Sequence, residues 1–420
     1  MFGLVVFAGC GGAPEPAPPV TLTILGLGLE AGAQLREDAL DEFTGKTGTK
    51  VDLIPTLGTS SEQLTFALGR LNRKSPAPDI YVIDVIWPGT LHDHLLDLAP
   101  YLTADAGRHL AGLLDNGTVN QRVVSLPIYV NAGMLYYRAD LLRKYGYPRP
   151  PATWRELERM ASRIQKGERR VGKNAFWGYV WQGSSYEGLT CNALEWQASF
   201  GGGRIFEANR AVTVNNPRAA QAFENAASWV GSISPESVLS YTETDTLNVF
   251  CSGNAAFMRH WSSAFRGISR SMQAGNVAVE LLPAGPSGRA QSIGGFQLAV
   301  SRYTSHPREA AELVTYLTSP EVQSRRAVRR GYVPTYPHLY SDPTVASALP
   351  QVAVLERAKP ENWVMRPSAL AGSQYAEVSK AYYEAVHSIL SGKAGASAAL
   401  ASLEQELTRG LGAQRQADRH

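Results

Sequence analysis

Five polar residues stand where the sequence pattern ends a strand or opens a loop: Glu30, Asp84, Asn131, Glu187 and Arg366. Three rings, Tyr129, Trp181 and Trp261, occupy comparable positions, and Gly294-Gly295 could offer backbone amides. Ionised carboxylates and guanidinium groups bind hydroxyls through charge-assisted hydrogen bonds. Indole and phenol rings cover C–H faces with large area and little rotamer cost. Together the two sets would hold a polyhydroxylated small molecule, polar groups at its edges and rings on its faces. Glu62 and Gln63 are weaker candidates for the same rim. Paired carboxylates among aromatics also describe a glycoside-processing enzyme. That alternative finds no nucleophile elbow, metal motif or phosphate loop beside it. The eight histidines are scattered, and His92 with His94 lacks a third ligand at metal spacing. No cofactor, metal or catalytic residue is therefore expected.

At 420 residues the chain can bury two substantial cores. With 44% hydrophobic and 18% charged residues it is no disordered chain. A net charge of +3 without a dense basic tract gives no case for nucleic acid. Arg325, Arg326, Arg329 and Arg330 form one cluster, read as a solvated helix end. Besides Cys10, the cysteines are Cys191 and Cys251, whose spacing leaves a disulfide and two free thiols equally open.

The elements that would position these groups follow from pattern. Val20–Leu27 reads as a strand, 33–43 as a helix ending at Thr44-Gly45, and Lys50–Pro55 as a second strand. This β-α-β opening predicts a parallel sheet. Ser60 or Ser61 caps a helix to Arg73, and a third strand, Asp79–Ile83, leaves Asp84 at its carboxyl end, where open α/β sheets meet ligands. Leu126–Val130 and Gly133–Tyr137 read as two strands separated by Asn131-Ala132. Thr153 to Glu156 has capping-box spacing, and Asn216-Pro217 and Ser319-Pro320 open helices by cap and N1 proline. A helix starts at Tyr186-Glu187, a strand runs from Gly253 towards Trp261, and another covers 291–300. Helices at 374–390 and from Ala396 to about Leu407 close the chain, with a frayed tail after Gly410.

The series strand, YYR, short helix, YG, prolines and TWREL across Leu126–Met160 resembles the family 1 extracellular solute-binding proteins of sugar ABC importers. Within that group it resembles the trehalose/maltose-binding proteins. EFTGKTGTKV, FWGYVWQGSSYEGLTCNALEW, GNAAF before a tryptophan, and Gly331–Thr335 extend the likeness over roughly residues 20–408. The resemblance implies a two-lobed, type II periplasmic-binding-protein fold of class α/β, each lobe a mixed sheet flanked by helices, with a hinge between. Lobes would comprise 20–127 with 296–335, and 128–295 with 336–410; 411–420 would be a tail. It implies a disaccharide held at Glu30, Asp84, Trp261, Gly295 and Arg366, then delivered to ABC permease membrane subunits coupled to a cytoplasmic ATPase. Another oligosaccharide or a polyol remains the alternative ligand. Asn131 departs from the family, whose nearest members have Asp, and an amide both donates and accepts. MFGLVVFAGC looks like the tail of a lipoprotein signal with Cys10 as the lipidated residue, and residues 11–19 like a flexible tether. A monomeric, membrane-anchored extracytoplasmic lipoprotein is the expectation.

Overall fold

The computed structural model describes residues 19–27, 35–56, 60–102, 104–207 and 209–417. Strand β1 (Thr21–Leu27) lies parallel to β2 (Lys50–Pro55), Ile24 opposite Leu53. The helical stretch between them ends in α1 (Asp41–Thr47), which carries Gly45 inside it. It stops at Gly48 rather than at the expected Thr44-Gly45, because Gly48 takes the left-handed φ of +76° that closes a helix. After α2 (Ser60–Leu71), β3 (Ile80–Asp84) adds parallel to β1 and delivers Asp84 as its last residue.

Past a small separate ribbon at Thr118–Val119 and Arg122–Val123, β4 (Leu126–Arg138) is one continuous strand where two were expected. Asn131 does not interrupt it, because the Asn131 Oδ1 atom accepts from the Ser263 N–H (3.1 Å) and the Ser262 hydroxyl (3.2 Å). A satisfied amide is tolerated in a buried strand. Five further strands follow: β5 (Trp177–Val180), β6 (Ala255–Trp261), β7 (Val277–Leu281), β8 (Gln291–Val300) and β9 (Trp363–Val364). The sheet order is β2-β1-β3-β8-β4-β6-β5, with β7 on β4 and β9 on β8. Midway, β4 changes partners: Leu126–Ala132 pairs antiparallel with β8, while Gly133–Arg138 runs between β6 and β7. Two sheet halves thus share one strand, and the exchange falls beside Asn131. One apolar cluster gathers Leu22, Ile24, Phe43, Leu126, Leu298 and Leu313 on the first half. A larger one holds Met134, Trp154, Phe176, Trp196 and Phe257 on the second.

Caps fix the helices around these halves. Thr153 Oγ1 accepts from the Glu156 N–H at the start of α3 (Trp154–Arg170). The Glu156 carboxylate turns to the Ala152 N–H and Arg149, so this box closes on one side only. The helices α4 (Glu187–Ser199) and α5 (Glu243–Cys251) frame the second half, α6 (Pro320–Arg330) packs on the first through Val322, and α7 (Tyr375–Leu390) and α8 (Ala396–Ala417) close the chain on the second. Thr242 and Asp245 make the reciprocal box that opens α5. The last helix continues through Gly410 to Ala417, past the expected end near Leu407.

One further reading changes and one left open is decided. The arginine cluster on α6 is an ion-paired seam, not a solvated end: Arg330 reaches Asp38 (2.8 Å) and Glu37 (2.6 Å), and Arg325 reaches Glu42 (2.6 Å). Arg326 is buried over the Tyr332 ring. The acidic partners sit nearly 300 residues earlier, beyond any local pattern. Cys191 and Cys251 are both free thiols. Among the described residues, no helix is long and apolar enough to cross a membrane.

Candidate functional site

Where β3 ends and β4 changes partners, a cavity of about 610 Å³ opens. Asp84, Asn131, Glu187, Trp261, Gly294, Gly295 and Arg366 all line it, and so does Glu62. They come from the end of β3, the middle of β4, the start of α4, the end of β6, the start of β8 and the loop after β9. Tyr129 and Trp181 are not among the lining side chains. Tyr129 sits in a ring cluster with Tyr332 (4.5 Å) and Phe296 (5.8 Å). Trp181 is wholly buried edge-on against Trp196, its indole N–H donating to Ser234 (3.1 Å). A strand-end position in sequence did not place these two rings in the wall, because their faces pack into core instead. Glu30 and Cys10 lie outside the described residues.

Arg366 is the centre of the wall's charge. Its Nη1 donates to Glu187 (2.9 Å) and its Nη2 to Asp84 (3.3 Å), bringing together groups 179 and 282 residues away. The guanidinium is 4% exposed, Asp84 14% and Glu187 17%, so the carboxylates face the opening more than the cation does. Burial opposes the Arg366 charge, but the Asp84 and Glu187 carboxylates outweigh it and hold its pKa well above the ordinary range. Glu187 is the first residue of α4, where the helix dipole favours a carboxylate. It also accepts from Tyr375 (2.6 Å) and Ser379 (2.5 Å) on α7. Asp84 accepts from Ser60 (3.2 Å) and the Ile86 N–H (3.3 Å).

Sequence reasoning missed the opposite wall. Glu243, the first residue of α5, accepts from the Tyr186 hydroxyl (2.6 Å) and from Trp261 Nε1–H (3.1 Å). Tyr186, Thr242, Thr244 and Tyr383 complete that side. The sequence reads as helical over Thr242–Phe250, and the signal that could have singled out Glu243 is its place as first residue of that helix, which Glu187 also holds on α4. Cys191, one turn beyond Glu187, also lines the cavity, and burial pushes its thiol up to about 12, which keeps it protonated.

Asn131 has its oxygen engaged by Ser262 and Ser263, so its NH₂ is the group left to present. The two glycines differ in role. Gly295 has φ +135°, and a Cβ there would lie 2.5 Å from the Tyr129 carbonyl oxygen, so the strand pair closes only on glycine. At Gly294 a Cβ would stand 3.3 Å from the Trp261 ring, so its bareness eases the close approach of the ring to the backbone.

The acids of the wall are thus tied by donors and flank an aromatic ring. Comparison with known proteins agrees in outline. The family model for bacterial extracellular solute-binding proteins matches residues 27–324. A Deinococcus radiodurans protein described as a probable ABC transporter-binding protein is 42% identical over 401 residues, 94% of this chain and 95% of that one. Among solved structures, maltose-bound T. maritima MalE3 superposes with a TM-score of 0.83 at 33% identity, covering 93% of this chain and 99% of its own. A Thermotoga lettingae ABC transporter solute-binding protein with bound α-D-tagatose shares the fold, TM-score 0.81 at 21% identity, over 93% of this chain and 99% of that one.

Proposed function

The chain belongs to the bacterial extracellular solute-binding proteins, with a two-lobed type II periplasmic-binding-protein fold, and we propose that it captures a disaccharide of trehalose or maltose type. The sugar is held between the lobes and handed to the membrane subunits of an ABC permease with its cytoplasmic ATPase. One observation carries this reading: a cavity of about 610 Å³ whose wall sets the Asp84–Arg366–Glu187 chain and Glu243 around the Trp261 ring. Carboxylates and a guanidinium suit hydroxyls, and an indole face suits the apolar side of a pyranose. The maltose in the MalE3 relative and the transporter description of the Deinococcus relative support it.

In this reading Asp84, Asn131, Glu187, Trp261, Gly294, Gly295 and Arg366 contact the sugar, joined by Glu30. The lobes are 20–127 with 296–335, and 128–295 with 336–410. The partner exchange within β4, between Ala132 and Gly133, supports a crossing between the lobes on this strand, with hinge closure about it. Cys10 carries a lipid anchor, the following prolines form a tether, and the protein works as an extracytoplasmic monomer without turning its ligand over. Titration calorimetry with trehalose, maltose, sucrose and cellobiose tests the function. Micromolar or tighter binding of at least one, with the sugar recovered intact, is expected. Binding of none, or release of monosaccharide product, would overturn it.

A further inference from the structure

One ion pair behind the cleft takes no part in the wall chemistry. Arg259 on β6 and Glu195 on α4 are both 0% exposed and doubly joined, Nε to Oε2 at 2.9 Å and Nη2 to Oε1 at 2.5 Å. Gln182 Oε1 accepts from Arg259 Nη1 (3.0 Å), and the Gln182 NH₂ donates to the Arg259 carbonyl (3.1 Å). The Ser292 N–H, on β8, donates to Glu195 Oε1 (3.1 Å). Gly133, where β4 changes partners, leaves the space they fill: a Cβ there would collide with Glu195 and stand 2.7 Å from Arg259 Nη2. A dry ion pair is expensive to desolvate and adds little stability over apolar residues of like volume. Its presence here points to a task other than stability.

That task lies one ring away. The Arg259 guanidinium carbon is 4.2 Å from the centroid of the Trp261 ring, over its face. Glu243 holds the indole nitrogen, and bare Gly294 seats the ring's far edge. Trp261 is thereby fixed on one face, at its nitrogen and at one edge, while it lines the cavity. A side chain already immobilised gives up little freedom when a ligand arrives, so less of the contact is spent on ordering it.

We propose that Arg259, clamped by Glu195, is a positioning residue that backs Trp261 and presents its free face as a rigid platform for the apolar side of the ligand. This rests on the carbohydrate reading of the cleft. Through the Ser292 N–H the same clamp ties the platform to β8, the strand that pairs with the first part of β4.

A double-mutant cycle on the full chain tests it, with maltose and trehalose affinities measured by calorimetry and a thermal melt for every variant. Arg259→Lys keeps a charge for Glu195 but can neither lie flat on the ring nor hold two parallel bonds. Acting through Trp261, it weakens binding about tenfold in the native background and less than about twofold once Trp261→Leu has removed the platform. Equal losses in both backgrounds, or no loss in the native one, overturn the proposal. Should Arg259→Lys not fold, Glu195→Gln, which keeps shape and one acceptor, enters the same cycle with the same expectation and the same refutation. A native protein that binds neither sugar nor any other saccharide would bring down the carbohydrate reading and the platform together. Native binding with additive losses would bring down the platform alone.

Discussion

Two arginines pair with two glutamates of the same helix, and the pairs do different work. Arg366 meets Glu187 at the first residue of α4, with Asp84 as a second partner, at the edge of the cavity. Arg259 meets Glu195 two turns further along, where both are sealed from water. In the first cluster the carboxylates are partly hydrated, so a ligand hydroxyl can take the place of water without uncovering a bare charge. In the second, any lost partner leaves an ion stranded in a dry interior. Depth below the surface, not the chemistry of the pair, decides whether it can serve a ligand or only hold a scaffold.

The sharpest way to break that contrast is Glu195→Ala. It strands Arg259 and is expected to cost about 3–5 kcal/mol of folding stability in denaturant melts. A cost no larger than that of Glu187→Ala would erase the distinction between dry and wet pairs.

Acid asks the same question of a buried group without a charge partner. Burial lowers the His109 pKa to about 4, in a ring held by Thr335 (2.7 Å) and Tyr336 (3.2 Å). The unfolded chain, with an ordinary histidine, binds the extra proton first as pH falls. The contribution, up to about 3 kcal/mol, is therefore complete above roughly pH 6.5 and lost on descent towards pH 4. His109→Gln should flatten the pH dependence of the melting temperature across that window; an unchanged slope would mean the ring is hydrated after all.

On the wet side, Arg366→Ala and Asp84→Ala should each weaken sugar binding at least about tenfold. Unchanged affinity in folded variants would show that the wall has been assigned to the wrong face. The smallest effect belongs to Trp181→Phe. Its ring packs on Trp196 outside the lining, so affinity should change by less than about twofold while the melt shifts down. A larger loss of binding would return Trp181 to the site.

Much of the fold and part of the site are legible in the amino-acid order. Asn216-Pro217 and Ser319-Pro320 announce caps that form as expected, because cap and helix lie within three residues of each other. Asp84 can be put at the mouth of the sheet from the position of its strand alone. Where partners are distant, local pattern misleads. Asn131 has the look of a break between strands, yet it sits inside one because Ser262 and Ser263, over 130 residues on, satisfy its oxygen. The arginines of α6 have the spacing of a solvated helix end, yet Glu37, Asp38 and Glu42 lie against them. Arg259 is the overlooked clue, since a charged residue next to the otherwise apolar run Ala255–Met258 demands a buried counter-ion.

What the amino-acid order determined by itself was therefore most of the larger elements, several of their caps and turns, and the family blocks that run along the chain. Those depend on interactions a few residues long. The tertiary structure alone decided which polar groups reach the cavity, which rings stay in the core, and which of two glutamates on one helix meets water. Burial and pairing are properties of contacts made across 179 and 282 residues of chain, and local sequence carries no measure of them.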